Sequence, residues 1–287
     1  MKLVYLLLTI FGSILFLVLI YITIKISIVI WKVNHPAKNS SENFLKLLRK
    51  NKVDSRKKRI VFIGDSLTNG LLGVNFTMIV AQVLGNDYYY INAGINSQVA
   101  YNVLQRIDSV IKCEPDFITL LIGTNDAHHE INLYNLNPKK SLNLPQHPSK
   151  EFYIENLKEI ISKLQLKTNA KIALCSLPPI GEDEDSLAFK QSITYSNIIK
   201  ELADENHLEY LPINEEMIAY LKDHSSNPKY SVEQRLIEQL IVKHFILGIS
   251  FDKISERNGF HLVSDHLHLN THSAKIIANL IVKFVTT

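Results

Sequence analysis

Arg59-Ile-Val-Phe-Ile-Gly-Asp-Ser-Leu-Thr-Asn-Gly70 decides the reading of this chain. Ile60 to Ile63 is a run of branched and aromatic residues, the composition of a buried strand. The run stops at Gly64, and Ser66 stands two residues later, between an aspartate and a turn. A serine just past the C-terminal end of a parallel strand sits where open α/β sheets bind ligands and place reactive groups. On these residues alone, a Ser or Asp that merely caps the next helix is an equal alternative.

Upstream lies different material. Leu3 to Ile24 is 22 residues without a charge, and roughly 20 such residues span a bilayer. A cleaved signal peptide would have a shorter apolar core, about 7–15 residues, ending in small residues, and Tyr21-Ile-Thr-Ile-Lys-Ile-Ser-Ile28 offers no such site. Residues 1–31 are therefore expected to be an uncleaved, single-pass membrane anchor, with Trp31 as an interfacial residue. Residues 32–58 read as a basic juxtamembrane linker. From Lys32 to Arg59 there are ten Lys or Arg against Glu42 and Asp54. The formal charge of the whole chain is only +3, so the remainder, residues 60–287, is acidic. Such a stretch is attracted to anionic headgroups. A nucleic-acid partner is not expected, because the basic run adjoins a membrane span and lacks interleaved aromatics. The charge bias predicts a cytoplasmic domain, whereas display outside the cell requires the reverse, and the two stay open. Cys113 and Cys175 form no visible disulfide framework.

Downstream, short apolar runs alternate with helical spacing. Tyr88–Ile91, Phe117–Ile122, Lys171–Leu177 and Leu208–Leu211 read as further strands. Phe76–Leu84, Val99–Ile111, a helix through Leu157–Leu164, Ile193–Leu202 and Lys275–Phe284 read as helices. This alternation predicts an α/β fold with right-handed crossovers and a mainly parallel five-stranded sheet covered on both faces. Asn132–Lys150 is a long polar loop on the side where a site should be. Glu215–Gly248 is expected to hold an amphipathic helix with Val232, Leu236, Leu240 and Phe245 on its apolar face, either as core packing or as a lid.

Near the C-terminus comes Gly259-Phe-His-Leu-Val-Ser-Asp-His-Leu-His-Leu-Asn270. Serine is a poor nucleophile unless a base takes its proton, and that base works best when a carboxylate orients it. An Asp three residues before a His, on a tight loop, can present both side chains to one point. The second glycine of the lipase nucleophile elbow is absent. His128-His129-Glu130 and the group His266, His268, His272 raise a metal question. Adjacent histidines point apart and no metalloprotease-type helix is present, so no metal and no cofactor are expected.

Four blocks together resemble the SGNH, or GDSL-type, hydrolase family: Gly64-Asp-Ser-Leu-Thr68, Asn92-Ala-Gly-Ile-Asn-Ser97, Gly123-Thr-Asn-Asp126 and Asp265-x-x-His268. The resemblance implies a flavodoxin-like three-layer α/β/α sandwich over 59–287. It also implies a serine hydrolase with Ser66 as nucleophile, His268 as general base and then acid, and Asp265 as the orienting carboxylate. The oxyanion would be held by the Ser66 N–H, the Ser97 N–H and the Asn125 side chain. In the family a glycine usually stands where Ser97 does, and a small residue where His266 does. Asp65 and Asp126 are expected to cap and hold loops beside the site. The implied activity is hydrolysis of a small-molecule, lipid or glycan ester through an acyl-enzyme. An acyltransferase on the same residues, or a non-catalytic membrane-bound binding module, are the alternatives.

Overall fold

The computed structural model describes residues 1–287. Five strands, β1 (Lys58–Gly64), β2 (Tyr88–Gly94), β3 (Phe117–Leu121), β4 (Lys171–Cys175) and β5 (Glu209–Leu211), form one sheet in the order β2-β1-β3-β4-β5. Every pair is parallel. The first strand runs through the middle of this sheet, and Ile60, Val61, Phe62 and Ile63 are buried on both faces, which is why its sequence is uninterrupted rather than alternating. Strand order reverses between β1 and β3, so a crevice opens at their C-terminal ends, between the helices that leave to opposite faces.

The helices, in chain order, are α1 (Lys2–Val33), α2 (Ser41–Arg49), α3 (Ser66–Asn69), α4 (Phe76–Leu84), α5 (Ala100–Ile111), α6 (Thr124–Glu130), α7 (Pro138–Ser141), α8 (Lys150–Lys167), α9 (Leu187–Glu205), α10 (Ile213–Asp223), α11 (Ile237–Ile241), α12 (Phe251–Asn258) and α13 (Thr271–Thr286). One face of the sheet carries α4, α10 and α13, and the other carries α5, α8 and α9. The three-layer sandwich expected from the sequence is the architecture observed. Side-chain caps start the long helices where the sequence supplies Ser or Asn: Ser149 for α8, Ser186 for α9 and Asn270 for α13.

Two segments differ from their sequence reading. Between Glu215 and Gly248 the apolar spacing suggests one amphipathic helix, but α10 ends at Asp223 and only Ile237–Ile241 is α-helical, followed by a π-helical turn over Val242–Ile246. Val232 and Leu236 are buried as expected, yet they reach the core from irregular chain. Pro228 restricts Asn227 to extended backbone, and the carbonyl of Asn227 packs against Gly259, where a Cβ would collide with it. The basic stretch after α1 holds α2, whose Phe44 is buried in the main core against Tyr89 and under the Arg59 guanidinium. Asn39 extends the sheet edge, its carbonyl accepting the Asn92 N–H and its amide donating to the Tyr90 carbonyl.

Candidate active site

The site forms where β1, β2 and β3 end. Gly64 closes β1 because a Cβ there would collide with the Thr68 hydroxyl and the Leu121 carbonyl. Asp65 caps the short helix α3, accepting the Leu67 N–H at 2.9 Å, and so turns Ser66 out of the sheet into the crevice. Ser66 Oγ lies 3.1 Å from His268 Nε2, and His268 Nδ1 lies 2.8 Å from Asp265 Oδ2. The other Asp265 oxygen accepts the backbone N–H groups of Leu267 and His268, which fixes the carboxylate and the loop in one stroke. Ser66, His268 and Asp265, separated by some 200 residues in the chain, therefore form one continuous hydrogen-bonded chain.

The electrostatics match that geometry. Burial works against a charged His268, but the neighbouring Asp265 carboxylate outweighs it and lifts the imidazole pKa above its ordinary value. Burial likewise opposes ionisation of Asp265, and the His268 ring with two backbone N–H groups more than offsets this, holding the carboxyl below its ordinary range. The pair thus favours an imidazole that gains a proton readily beside a carboxylate that loses one readily.

Across the crevice stands the second block. Ser97 has φ of 62°, in the left-handed region where a side chain is strained and glycine is at ease. Its N–H and that of Ser66 have no acceptor within the protein. Asn125, at the start of α6, faces the same cleft and is held on three sides. Its amide donates to the Gln98 carbonyl at 2.9 Å and to Asp65 at 3.2 Å, and its oxygen accepts from His128 Nε2 at 3.2 Å. Burial pushes His128 down to about 3, so its ring is neutral and its Nε2 carries the hydrogen that Asn125 accepts. Burial raises Asp65 to about 6 and Asp126 to about 8. Asp126 accepts the Ala100 N–H at the start of α5. Both acids hold loops beside the site, and neither side chain hydrogen-bonds to Ser66 or His268.

Several site residues carry no signal in the sequence. Arg106 donates to the Gly64 carbonyl and to the Gln98 side chain, tying the end of β1 to the second block from beneath. Glu182 is buried in the loop after β4, and its carboxylate accepts three successive backbone N–H groups, those of His261, Leu262 and Val263, at 2.7–2.9 Å. A Ser226 hydroxyl completes its shell. This carboxylate pins the loop that carries Asp265 and His268. His266, between them, has φ of 78° and turns away from the cleft onto Phe260, leaving His268 as the imidazole that meets the serine. The histidines assemble no three-ligand cluster with an acid or thiol.

The cleft has a volume of about 420 Å³ and is half apolar, with Leu72, Tyr134, Leu136, Leu142 and Leu236 facing the polar group of Ser66, Ser97, Asn125 and His268. Tyr134, Leu136 and Leu142 come from the long loop after α6.

A serine hydrogen-bonded to a histidine and an aspartate at the switch point of a flavodoxin-like sheet fits a class, the ester hydrolases built on this fold. The family model described as the GDSL-like Lipase/Acylhydrolase family matches residues 62–271, and the chain belongs to that family. An acetylxylan esterase from Geobacillus stearothermophilus is 23% identical over 171 residues, covering 52% of this chain and 73% of the relative. Among solved structures, a mutant of an acetyl-xylooligosaccharide esterase from the same organism superposes with a TM-score of 0.58 at 18% identity, over 80% of this chain and 94% of that one. A second acetyl xylan esterase superposes with a TM-score of 0.53 at 23% identity, over 79% and 99%. At these identities the structures establish the shared fold.

Proposed function

We propose that the protein is a membrane-tethered serine ester hydrolase working through an acyl-enzyme. The observation that carries this reading is the unbroken relay from Asp265 through His268 to Ser66. Crystal structures described as catalytic mutants of the Geobacillus esterase replace one serine, one aspartate and one histidine, the last two spaced as Asp265 and His268 are, which supports the same assignment.

In this reading Ser66 Oγ attacks the ester carbonyl while its proton passes to His268 Nε2. The carbonyl oxygen becomes an oxyanion between the Ser66 and Ser97 N–H groups. Asn125 adds a third donor by exchanging its longer hydrogen bond, the one to Asp65, for the oxyanion. His268 then protonates the leaving alkoxide, the ester C–O bond breaks, and the acyl group stays on Ser66. Water, deprotonated by His268, attacks the acyl carbon and releases the acid and the free serine. Donors of this kind typically contribute about 10²–10³ each in rate. The apolar helix Lys2–Val33, of which an 18-residue window has mean hydropathy 2.8 and no burial, supports the tether.

The test is hydrolysis of p-nitrophenyl esters, from acetyl to long acyl, by the full chain in detergent beside its Ser66→Ala form. The expected result is a rate at least about 10⁴-fold lower for Ser66→Ala, together with loss of fluorophosphonate labelling. Equal rates in the two forms would remove the reading. Product partition toward an added sugar acceptor would move it to acyl transfer.

A further inference from the structure

The anchor does not stop at the membrane. Its apolar span ends near Ile24, but α1 continues to Val33, and this last stretch is packed on the catalytic domain. Val29 is 4% exposed, and Lys25 and Val33 are partly covered, one helical face resting on the π-helical turn Val242–Ile246. The carbonyl of Val33, left without a partner by the end of the helix, accepts the Asn96 amide at 2.7 Å. Asn96 precedes Ser97, so the anchor is hydrogen-bonded to the loop that faces the oxyanion. Val33 and Asn34 themselves line the cleft that holds Ser66 and His268.

The opposite face of the same turns stays apolar and bare. Ile24, Ile28 and Trp31 are 54%, 46% and 59% exposed, and Val242 and Leu247 are exposed beside the docked turn. This face continues the membrane-spanning helix directly, so its occupant is the interface of the bilayer that holds the span. Nine residues from Lys25 to Val33 rise about 14 Å at 1.5 Å each. The headgroup layer of one leaflet is roughly 5–8 Å deep. The cleft is therefore held at or just above headgroup height, well short of free solution and above the depth at which fatty-acyl ester bonds lie.

We infer that the last two turns of the anchor are a wall of the active site, and that this wall fixes the cleft over the headgroups so that the substrate is an ester on the polar head of a membrane-resident amphiphile. The inference rests on the tethered serine hydrolase proposed above and deepens it. The docked anchor selects for height as well as for chemistry. A short acyl group on a headgroup meets Ser66 without leaving the membrane, whereas a phospholipid acyl ester has to be lifted by most of the length of the docked segment.

The experiment uses the full chain in phosphatidylcholine vesicles. Two probes are compared, p-nitrophenyl acetate in solution and an O-acetylated glucosyl diacylglycerol in the same bilayer. Inserting about 16 Gly/Ser residues between Ile24 and Lys25 adds roughly 20 Å of slack while leaving the docked turns in place. The expected result is an unchanged rate on the soluble ester and at least a tenfold fall on the glycolipid. An unchanged glycolipid rate would overturn the inference, as would release of fatty acid from phosphatidylcholine as fast as deacetylation. A second variant, Val29→Asp, undocks the wall, and the ratio of long-acyl to acetyl p-nitrophenyl hydrolysis is expected to rise several-fold. No change in that ratio would overturn the wall. Failure of the underlying reading looks different: a chain that does not float with the vesicles has no tether, and one whose Ser66→Ala form is equally active has no serine mechanism.

Discussion

The two halves of the relay are held in place by different means. Ser66 hangs from the end of a central strand whose register is fixed by β2 on one side and β3 on the other. His268 and Asp265 sit on a loop with only one isolated bridge, Val263 to Leu269, and no regular structure of its own. That loop is fastened by side chains. Glu182 grips three of its amides, Ser255 donates to the Val263 carbonyl, and Asn258 donates to the Ser264 carbonyl. In the proposed mechanism the nucleophile is set by the strand ladders together with the Asp65 cap. A base that must swing between serine, leaving group and water is held by discrete polar contacts, each open to single substitution.

The largest effect beyond the serine itself is expected at Asp265. Asp265→Asn removes the charge that lifts the His268 pKa and offers a donor or a weaker acceptor to Nδ1, and the rate is expected to fall by about 10³–10⁴. The sign of the pH effect follows from the roles. The base works only when neutral, so activity is lost as pH falls through the His268 pKa. In the native protein this acidic limb lies above the ordinary imidazole value, and in Asp265→Asn it shifts to lower pH. A pH–rate profile of both forms checks this.

On the strand side, Asn125→Ala removes a donor without disturbing the proton path. We expect about 10²–10³ in kcat with KM little changed, measured on a short soluble ester. Glu182→Gln sharpens the contrast between the two halves. One of its two carboxylate oxygens becomes an amide facing backbone donors, at a cost of about 1–3 kcal/mol. We expect tens-fold loss of kcat and a displaced acidic limb, with Ser66 still labelled slowly by a fluorophosphonate. Glu182→Asp, which keeps the charge, is expected to recover part of the loss. The smallest effect is Ser97→Gly. It relieves a left-handed side chain, whose strain is about 1–2 kcal/mol, against the greater backbone entropy of glycine. We expect a gain of up to about 1 kcal/mol by thermal or denaturant unfolding, with activity kept.

The same contrast explains what the sequence made readable. The strand ends were legible because each repeats one local grammar: an apolar run, a glycine that admits close backbone approach, and a polar residue turned into the crevice. The pairing of Asp265 with His268 was suggested by their three-residue spacing, and the family resemblance singled these two residues out. Glu182 was not, because Glu182-Asp-Glu-Asp185 has the look of a solvated acidic run and only burial separates its first member from the rest. The stretch from Val232 to Phe245 shows the limit of periodicity. Apolar spacing reports which residues reach the core, and here Val232 and Leu236 do so from chain that is not helical. Ile26 to Trp31 reads from composition as a continuation of the span, and of these six residues Val29 alone is buried, against the π-helical turn.

Because Val33 and Asn34 line the cleft, a chain trimmed of its first 34 residues to make it soluble is a differently shaped enzyme. Trimming removes the partner of the Asn96 amide and bares the π-helical turn that α1 covers. Rates measured on such a trimmed protein would describe a wider and more permissive mouth. A preference for bulky esters found there would be a property of the cut, and the native selectivity would have to be measured with the helix in place.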